Sequence, residues 1–305
     1  MHPPCAACSL GEVLQLILVS LGNWVSLGTC LDLTPPDTPQ VFEPALFMRA
    51  PIAGRPVTSL AFSPDLHHVV FAVVDADASG KVAVRFHESR QSRGEWTVPA
   101  PVLASPGFSS GEGWFSADGT EFWFSSNRPP APAPAAPRGF RVRFHDGAMA
   151  SPEVVPLEIA ADAGVYYPRL LANGDLSFTS RGANGRDDLF VAARRESGFA
   201  APRPLEGEFN SPQDDWDLAE TRDGKLRLWV SARVGGMGQA DLYYSRRLEH
   251  GGWSAPANLR AVNSPSWETA PALTPDDQVL FFLSRADGRE RLYWVRLASA
   301  LEKSS

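Results

Sequence analysis

The sequence predicts an all-β fold, a five-bladed β-propeller of four-stranded antiparallel blades, and three observations predict it. A short polar turn recurs five times, a β-rich apolar run follows each copy, and a proline-marked segment closes four of the five units. The turns are Ser63-Pro64-Asp65, Ser116-Ala117-Asp118-Gly119, Leu171-Ala172-Asn173-Gly174, Thr221-Arg222-Asp223-Gly224 and Thr274-Pro275-Asp276-Asp277. With Asp65, Asp118, Asn173, Asp223 and Asp276 taken as equivalent, the interval is 50 to 55 residues. Repeats of that length with strand-like contents are the signature of a propeller or a related array.

The runs after the turns, Val69-Val70-Phe71, Phe122-Trp123-Phe124, Leu176-Ser177-Phe178, Leu226-Arg227-Leu228-Trp229 and Val279-Leu280-Phe281-Phe282, are rich in aromatic and branched residues. That content marks strands, and the Asp-Gly and Asn-Gly pairs before them give the backbone freedom a tight hairpin requires. Each turn therefore joins the first and second strands of a unit. A third strand follows a polar loop, as Val82-Ala83-Val84, Arg141-Val142-Arg143-Phe144, Asp188-Leu189-Phe190-Val191, Asp241-Leu242-Tyr243-Tyr244 and Leu292-Tyr293-Trp294-Val295.

The fourth strand carries an apolar residue, a proline three positions on and another apolar residue three further: Trp96/Pro99/Val102, Met149/Pro152/Val155, Phe199/Pro202/Leu205 and Trp253/Pro256/Leu259. Proline cannot donate to a ladder, so this strand belongs at the outer rim. The fifth unit stops at its third strand, and the missing copy stands at the other end, as Val41/Pro44/Phe47. The expectation is that this N-terminal segment supplies the rim strand of the last blade and leaves no open edge.

The succession of Ser-Pro-Asp, apolar strand, Ser and Arg, Gly-rich loop, Asp-Leu-Tyr and Gly-Trp-Ser-x-Pro-x-Asn-Leu resembles the TolB-type, WD-like β-propeller repeats, in the version found in bacterial envelope proteins. Its fullest copies run from Asp214-Asp215-Trp216 to Asp241-Leu242-Tyr243-Tyr244 and from Gly252-Trp253-Ser254 to Asn263-Ser264, and the likeness spans residues 41–295. Blade one departs from it, with Asp75-Ala76-Asp77 where the others have Ser and Arg. The resemblance implies the fold and leaves function open, because such blades serve in scaffolds, peptidase accessory domains, lyases and glycosidases.

Three regions follow: a leader over residues 1–33, a Pro-rich linker over 34–40 and the propeller over 41–300. The apolar run Val13-Leu14-Gln15-Leu16-Ile17-Leu18-Val19-Ser20-Leu21 reads as an export signal, with Cys30 as a candidate lipidated residue, although no Lys or Arg precedes it and Glu12 sits at its edge. The expected place is thus the periplasm or the extracellular envelope, with the cytoplasm as the alternative. All three cysteines, Cys5, Cys8 and Cys30, lie in the leader, and Cys5-x-x-Cys8 has no second Cys/His pair to complete a metal site. A net charge of −7 argues against nucleic acid as a partner, and no apolar span of membrane length occurs in the repeats. Membrane attachment is expected only through a lipid at Cys30.

Candidate functional residues come from topology. Strands alternate in direction, so the turns between first and second strands share one face of the disc, the turn face. The second-to-third loops and the blade connections share the other, the loop face. The loop face carries Arg128, Arg181, Arg233 and Arg285, each following a Ser, and also Asp215, Glu268 and, near the equivalent place, Glu112. One reading pairs these Arg and acidic groups with each other and with Asp188 or Asp241, tying the blades together. The other makes Arg128, Arg181, Arg233, Arg285, Asp215 and Glu268 a ligand-binding set, since planar Arg suits carboxylate or phosphate.

No catalytic motif, metal spacing or cofactor motif stands out; Gly235-Gly236-Met237-Gly238 interrupts a blade loop and opens no helix. Residues 129–137, alternating Pro and Ala, lengthen a loop of blade two as an extended, exposed stretch. The reading is a non-enzymatic, monomeric interaction or ligand-binding propeller whose partner is an envelope protein or glycan. A glycan-active enzyme using Asp215, Glu268 or Glu112 as paired carboxylates is the alternative.

Overall fold

The computed structural model describes residues 33–76, 80–129, 136–160 and 162–304. The leader, with Cys5, Cys8 and Cys30, and most of the Pro/Ala stretch lie outside the described residues.

Five antiparallel sheets of four main strands succeed one another along the chain, as the repeat predicts. The first strands are Val57–Phe62, Ser110–Phe115, Tyr166–Leu170, Asp215–Glu220 and Glu268–Leu273. Second strands at His68–Ala76, Glu121–Ser126, Leu176–Arg181, Leu226–Ser231 and Val279–Ser284 pair with them through the predicted turns. Third strands follow at Val82–Ser92, Arg138–His145, Asp187–Ala192, Asp241–Arg246 and Arg291–Arg296. The rim strands are two residues long, Ala100–Pro101, Glu153–Val154, Arg203–Pro204 and Ala257–Asn258, and the marked prolines Pro99, Pro152, Pro202 and Pro256 stand immediately before them.

Alternation of side chains along the second strands builds the core between blades rather than within them. In blade one, Val69, Phe71 and Val73 pack toward blade five, while Val70 and Ala72 pack toward blade two. In blade two, Phe122 and Phe124 face blade one and Trp123 faces blade three. Trp229 faces blade three while Leu228 and Val230 face blade five. Each neighbouring pair of blades shares one apolar cluster, including the fifth with the first, so the ring is closed by hydrophobic burial as well as by the ladder.

The closing strand is Gln40–Val41, set antiparallel on the third strand of blade five with Val41 opposite Tyr293. It is shorter than the expected 41–47 segment. The amide of Phe42 donates to Leu292 O at 2.7 Å; Pro44 has no amide to continue the ladder, and Ala45–Met48 turns into a short 3-10 helix. Phe42, Leu46 and Phe47 then fill the seam between blades five and one. The Pro-rich segment is pinned rather than loose: Arg296 donates to Asp37 at 2.8 Å, as does Ser299. Ser299 lies on a C-terminal helix, Leu297–Glu302, whose Leu297, Ala300 and Leu301 cover the seam between blades four and five.

The recurrent turn owes its sequence to one hydrogen-bond pattern. In four blades the hydroxyl of Ser63, Ser116, Thr221 or Thr274 donates to the carboxylate two residues on, at 2.5 to 2.8 Å. That carboxylate also accepts the amide two residues further, as Asp118 does from Thr120 and Asp223 from Lys225. Blade three lacks the hydroxyl at Leu171 and uses Asn173 Oδ1 to accept from Asp175 N. The next position is left-handed, at Gly224 with φ of 67° for example; Leu66 and Asp277 tolerate it without glycine, at 61° and 57°.

Candidate functional site

The four loop-face arginines fall into two pairs, and their spacing from serine explains the division. Arg128 and Arg233 stand two residues after Ser126 and Ser231, and both fold inward. Nε of Arg128 donates to Ser126 Oγ at 3.1 Å, and Nη2 reaches Leu103 O and Ser110 Oγ, both at 2.9 Å. Burial pushes its guanidinium below its ordinary range. Nε of Arg233 donates to Ser231 Oγ at 2.8 Å, while Nη2 reaches Phe209 O at 3.0 Å and Asp215 at 3.2 Å. Arg181 and Arg285 stand one residue after Ser180 and Ser284 and point outward, with side chains 65% and 47% exposed. Arg285 pairs with Glu290 at 2.8 Å and Arg181 lies 3.9 Å from Asp187.

Asp215 and Glu268 are fully buried. Asp215 accepts the amide of Ser211 at 2.5 Å, and Glu268 accepts Ser264 N, Ser264 Oγ and Ser284 Oγ at 2.6 to 2.9 Å. Burial raises the Glu268 carboxyl against those donors. Asp241 accepts the amides of Met237 and Gly238 and the side-chain amide of Asn258, and it forms no ion pair with an arginine among the described residues. Arg233 with Asp215 is the one expected arginine–acid pair that the described residues bring together.

A second group of polar residues, nearer the axis, is positioned by the first strands. In blades two to five this strand is interrupted by a bulge, and one residue of each bulge takes a left-handed backbone: Glu112, Tyr167, Asp217 and Ala270, at φ of 53° to 61°. Bulges re-aim side chains, and left-handed non-glycine residues concentrate at functional sites. All four stand six residues before the register residue of the turn. Their contacts run from blade to blade. Tyr167 N donates to the Glu112 carboxylate at 2.5 Å, and the Tyr167 hydroxyl donates to Pro271 O of blade five. Thr269 Oγ1 donates to Asp217 at 3.1 Å, and Asp217 N donates to Thr179 Oγ1 at 2.9 Å. Burial, reinforced by the charge of Glu112, pushes the Asp217 carboxyl up to about 8 despite Thr269 and Arg169. Burial likewise raises the Tyr167 phenol well above its ordinary range.

On the turn face the channel widens into a cavity of about 630 Å³ with residues of all five blades in its wall. The position four residues before each register residue, Ala61, Trp114, Arg169, Ala219 and Ala272, lines it in every blade. Three small side chains at that position leave the space. Arg169 forms the inner end: its guanidinium lies 3.8 Å over the Tyr167 ring, and Nη1 donates to Glu112 O and Pro168 O at 2.9 and 3.0 Å. At the outer rim Arg222 of blade four reaches across to Ala117 O of blade two at 3.0 Å, and its amide donates to Asp277 at 2.9 Å.

Arg169, Tyr167 and Asp217 are absent from the loop-face set that sequence reasoning selects. The available signal is positional, since Arg169 is the charged member of a register position that is Ala in three blades. Among the described residues no group of three or more His, Cys, Asp or Glu is placed to hold a metal ion, and no helix is long and apolar enough to cross a membrane.

No known family profile matches the chain. No curated protein matches it in sequence. Solved structures do resemble it in fold. A puromycin-hydrolysing peptidase from Mycobacterium tuberculosis is 17% identical with a TM-score of 0.43, over 80% of this chain and 36% of the other. A TolB-type protein from Agrobacterium tumefaciens is 15% identical with a TM-score of 0.44, over 78% of this chain and 73% of the other. An oligogalacturonate lyase in complex with manganese is 17% identical with a TM-score of 0.44, over 80% of this chain and 66% of the other. This chain thus spans about a third of the peptidase, about three quarters of the TolB-type protein and about two thirds of the lyase.

Proposed function

We propose that this propeller is a non-enzymatic binding module whose ligand site is the turn-face cavity on its axis. The observation that carries this reading is the cavity itself. At about 630 Å³ it has the size of an ordinary small-molecule site, and all five blades wall it. The loop-face residues Arg128, Arg233, Asp215 and Glu268 spend their hydrogen bonds within the protein, which favours a structural task for them. Exposed Arg181 and Arg285 leave the loop face able to meet a second, acidic partner.

The partner expected from the leader is an envelope protein or glycan, met in the periplasm or at the outer surface. The test is capture from envelope extract by the full chain, with the same glycans assayed for turnover. Saturable binding without turnover is the expected result. The alternative, a glycan-active enzyme, draws on Asp217 and Glu112, two neighbouring acidic side chains of which one is held protonated. Both are already hydrogen-bonded inside the ring, to Thr269 and to Ser125 and Tyr167 N. Turnover abolished by Asp217→Asn would establish that alternative over the binding module.

A further inference from the structure

We infer that the turn-face cavity takes an organic oxyanion, a carboxylate or phosphate ester carried on an apolar body, with the charged end seated on Arg169. This deepens the proposed function and rests on the cavity being the site.

Hydrogen-bond accounting points to Arg169. The four acidic side chains in the cavity wall are already matched to donors within the protein. Asp118 accepts from Ser116 and Thr120, and Glu121 from Trp123 Nε1 at 3.0 Å. Glu220 accepts from Arg227 Nε at 2.7 Å and from Ala172 N at 2.8 Å, and Asp277 from Arg222 N. Arg169 is different. It is 6% exposed, yet its two bonds to the backbone leave from Nη1 and end on neutral carbonyls. A guanidinium has five N–H donors, and beside these two carbonyls its further polar neighbour is the Tyr167 hydroxyl; no carboxylate among the described residues forms an ion pair with it, and the side chain lines the cavity. A planar guanidinium with no carboxylate partner is suited to two parallel bonds with a carboxylate or phosphate. The Tyr167 ring beneath and the two carbonyls beside it hold the guanidinium in one orientation before any ligand arrives.

The rest of the wall describes the body of the ligand. Phe62, Trp114, Phe115, Leu170 and Leu273 line the same cavity. A free inorganic ion would leave that apolar surface uncovered, whereas an acid or phosphate ester with a ring or chain would cover it. Arg194 and Arg222 stand in the same wall with Asp118, Glu121, Glu220 and Asp277, so the wall as a whole has no excess of positive charge and selection for an anion falls to Arg169.

The test is calorimetric titration of the full chain with naphthylacetate, naphthyl phosphate and uncharged naphthylacetamide, repeated on Arg169→Met and Arg169→Lys. In the wild-type protein at least one of the two anions should bind tenfold or more tightly than the amide, and which one does identifies the head group. Arg169→Met should bring the anion down to the affinity of the amide, with Arg169→Lys between. The wild-type comparison decides the matter even if the variants fold poorly. Equal binding of anion and amide overturns the oxyanion inference and leaves the cavity as the site. Binding of none of the three probes overturns both.

Discussion

The hydroxyl of Tyr167, in the third blade, donates to the backbone carbonyl of Pro271, in the fifth, across the axis of the ring. Tyr167 is held there by a left-handed backbone at φ of 53° and lies under the guanidinium of Arg169. The same side chain thus ties two blades and forms the base on which Arg169 rests.

Tyr167→Phe should therefore cost stability out of proportion to one oxygen atom. The buried Pro271 carbonyl loses its donor, which costs about 1–3 kcal/mol. Denaturant unfolding checks this, and a midpoint equal to that of the wild-type protein would show that the cross-axis bond contributes nothing.

Asp217 should make the ring less stable as pH rises. Its carboxyl is raised in the folded protein by burial and by the charge of Glu112. Its contribution is fully present below the unfolded-state value near 4 and is lost as pH rises through about 8. Asp217→Asn keeps an acceptor for Thr269 and removes the titration. Melting curves from pH 5 to 9 should fall for the wild-type protein relative to the variant, and parallel curves would contradict the assignment.

The turn carboxylates have the opposite sign. The Ser116 hydroxyl bond and the Thr120 amide hold Asp118 below the usual carboxylate range, and the Thr221 hydroxyl and Lys225 amide do the same for Asp223. Their contribution is present above the unfolded value and is lost as pH falls through the folded one. Asp118→Ala and Asp223→Ala should each lower stability at neutral pH, by about 0.5–1.5 kcal/mol for the lost bonds. Both losses should shrink as the medium is acidified toward pH 3. A loss that does not shrink would mean that the hydrogen-bonded carboxylate is not what the turn requires.

Closure of the ring is tested by Phe42. Its ring is buried between blades five and one, 4.9 Å from Phe281 and 5.8 Å from Phe47, centroid to centroid. Phe42→Ala should cost about 3–5 kcal/mol, and deletion of residues 33–48 more. Removal of residues 1–32 should leave the melting temperature in place. Equal melting temperatures for the two truncations would contradict closure by the N-terminal segment.

The architecture was legible because its determinants are local and repeated. Ser116-Ala117-Asp118-Gly119 announces its turn through one hydroxyl, one carboxylate and one left-handed residue, and Phe122-Trp123-Phe124 displays the alternation that feeds two different seams. The rim strand was placed correctly but drawn too long, because the ladder stops before Pro44 and Phe47 serves the core instead. The loop-face arginines looked alike in sequence. A single residue of spacing after serine, one for Arg181 and Arg285 against two for Arg128 and Arg233, separates exposed side chains from internal ties. The axial residues were the least visible. The bulges that re-aim Glu112, Tyr167 and Asp217 carry no glycine at the left-handed position, and contacts such as Tyr167 to Pro271 join residues 104 apart.

The central claim, that the ligand sits in the turn-face cavity, is tested most directly by one pair of variants titrated with the anionic probe that binds best. Ala272→Trp fills the cavity from blade five, and Arg181→Ala combined with Arg285→Ala strips the exposed cations from the loop face. The account predicts that the filled variant loses binding at least tenfold while its melting temperature holds, and that the loop-face variant binds as the wild-type protein does. Binding retained by the filled cavity and lost from the loop-face variant would contradict it.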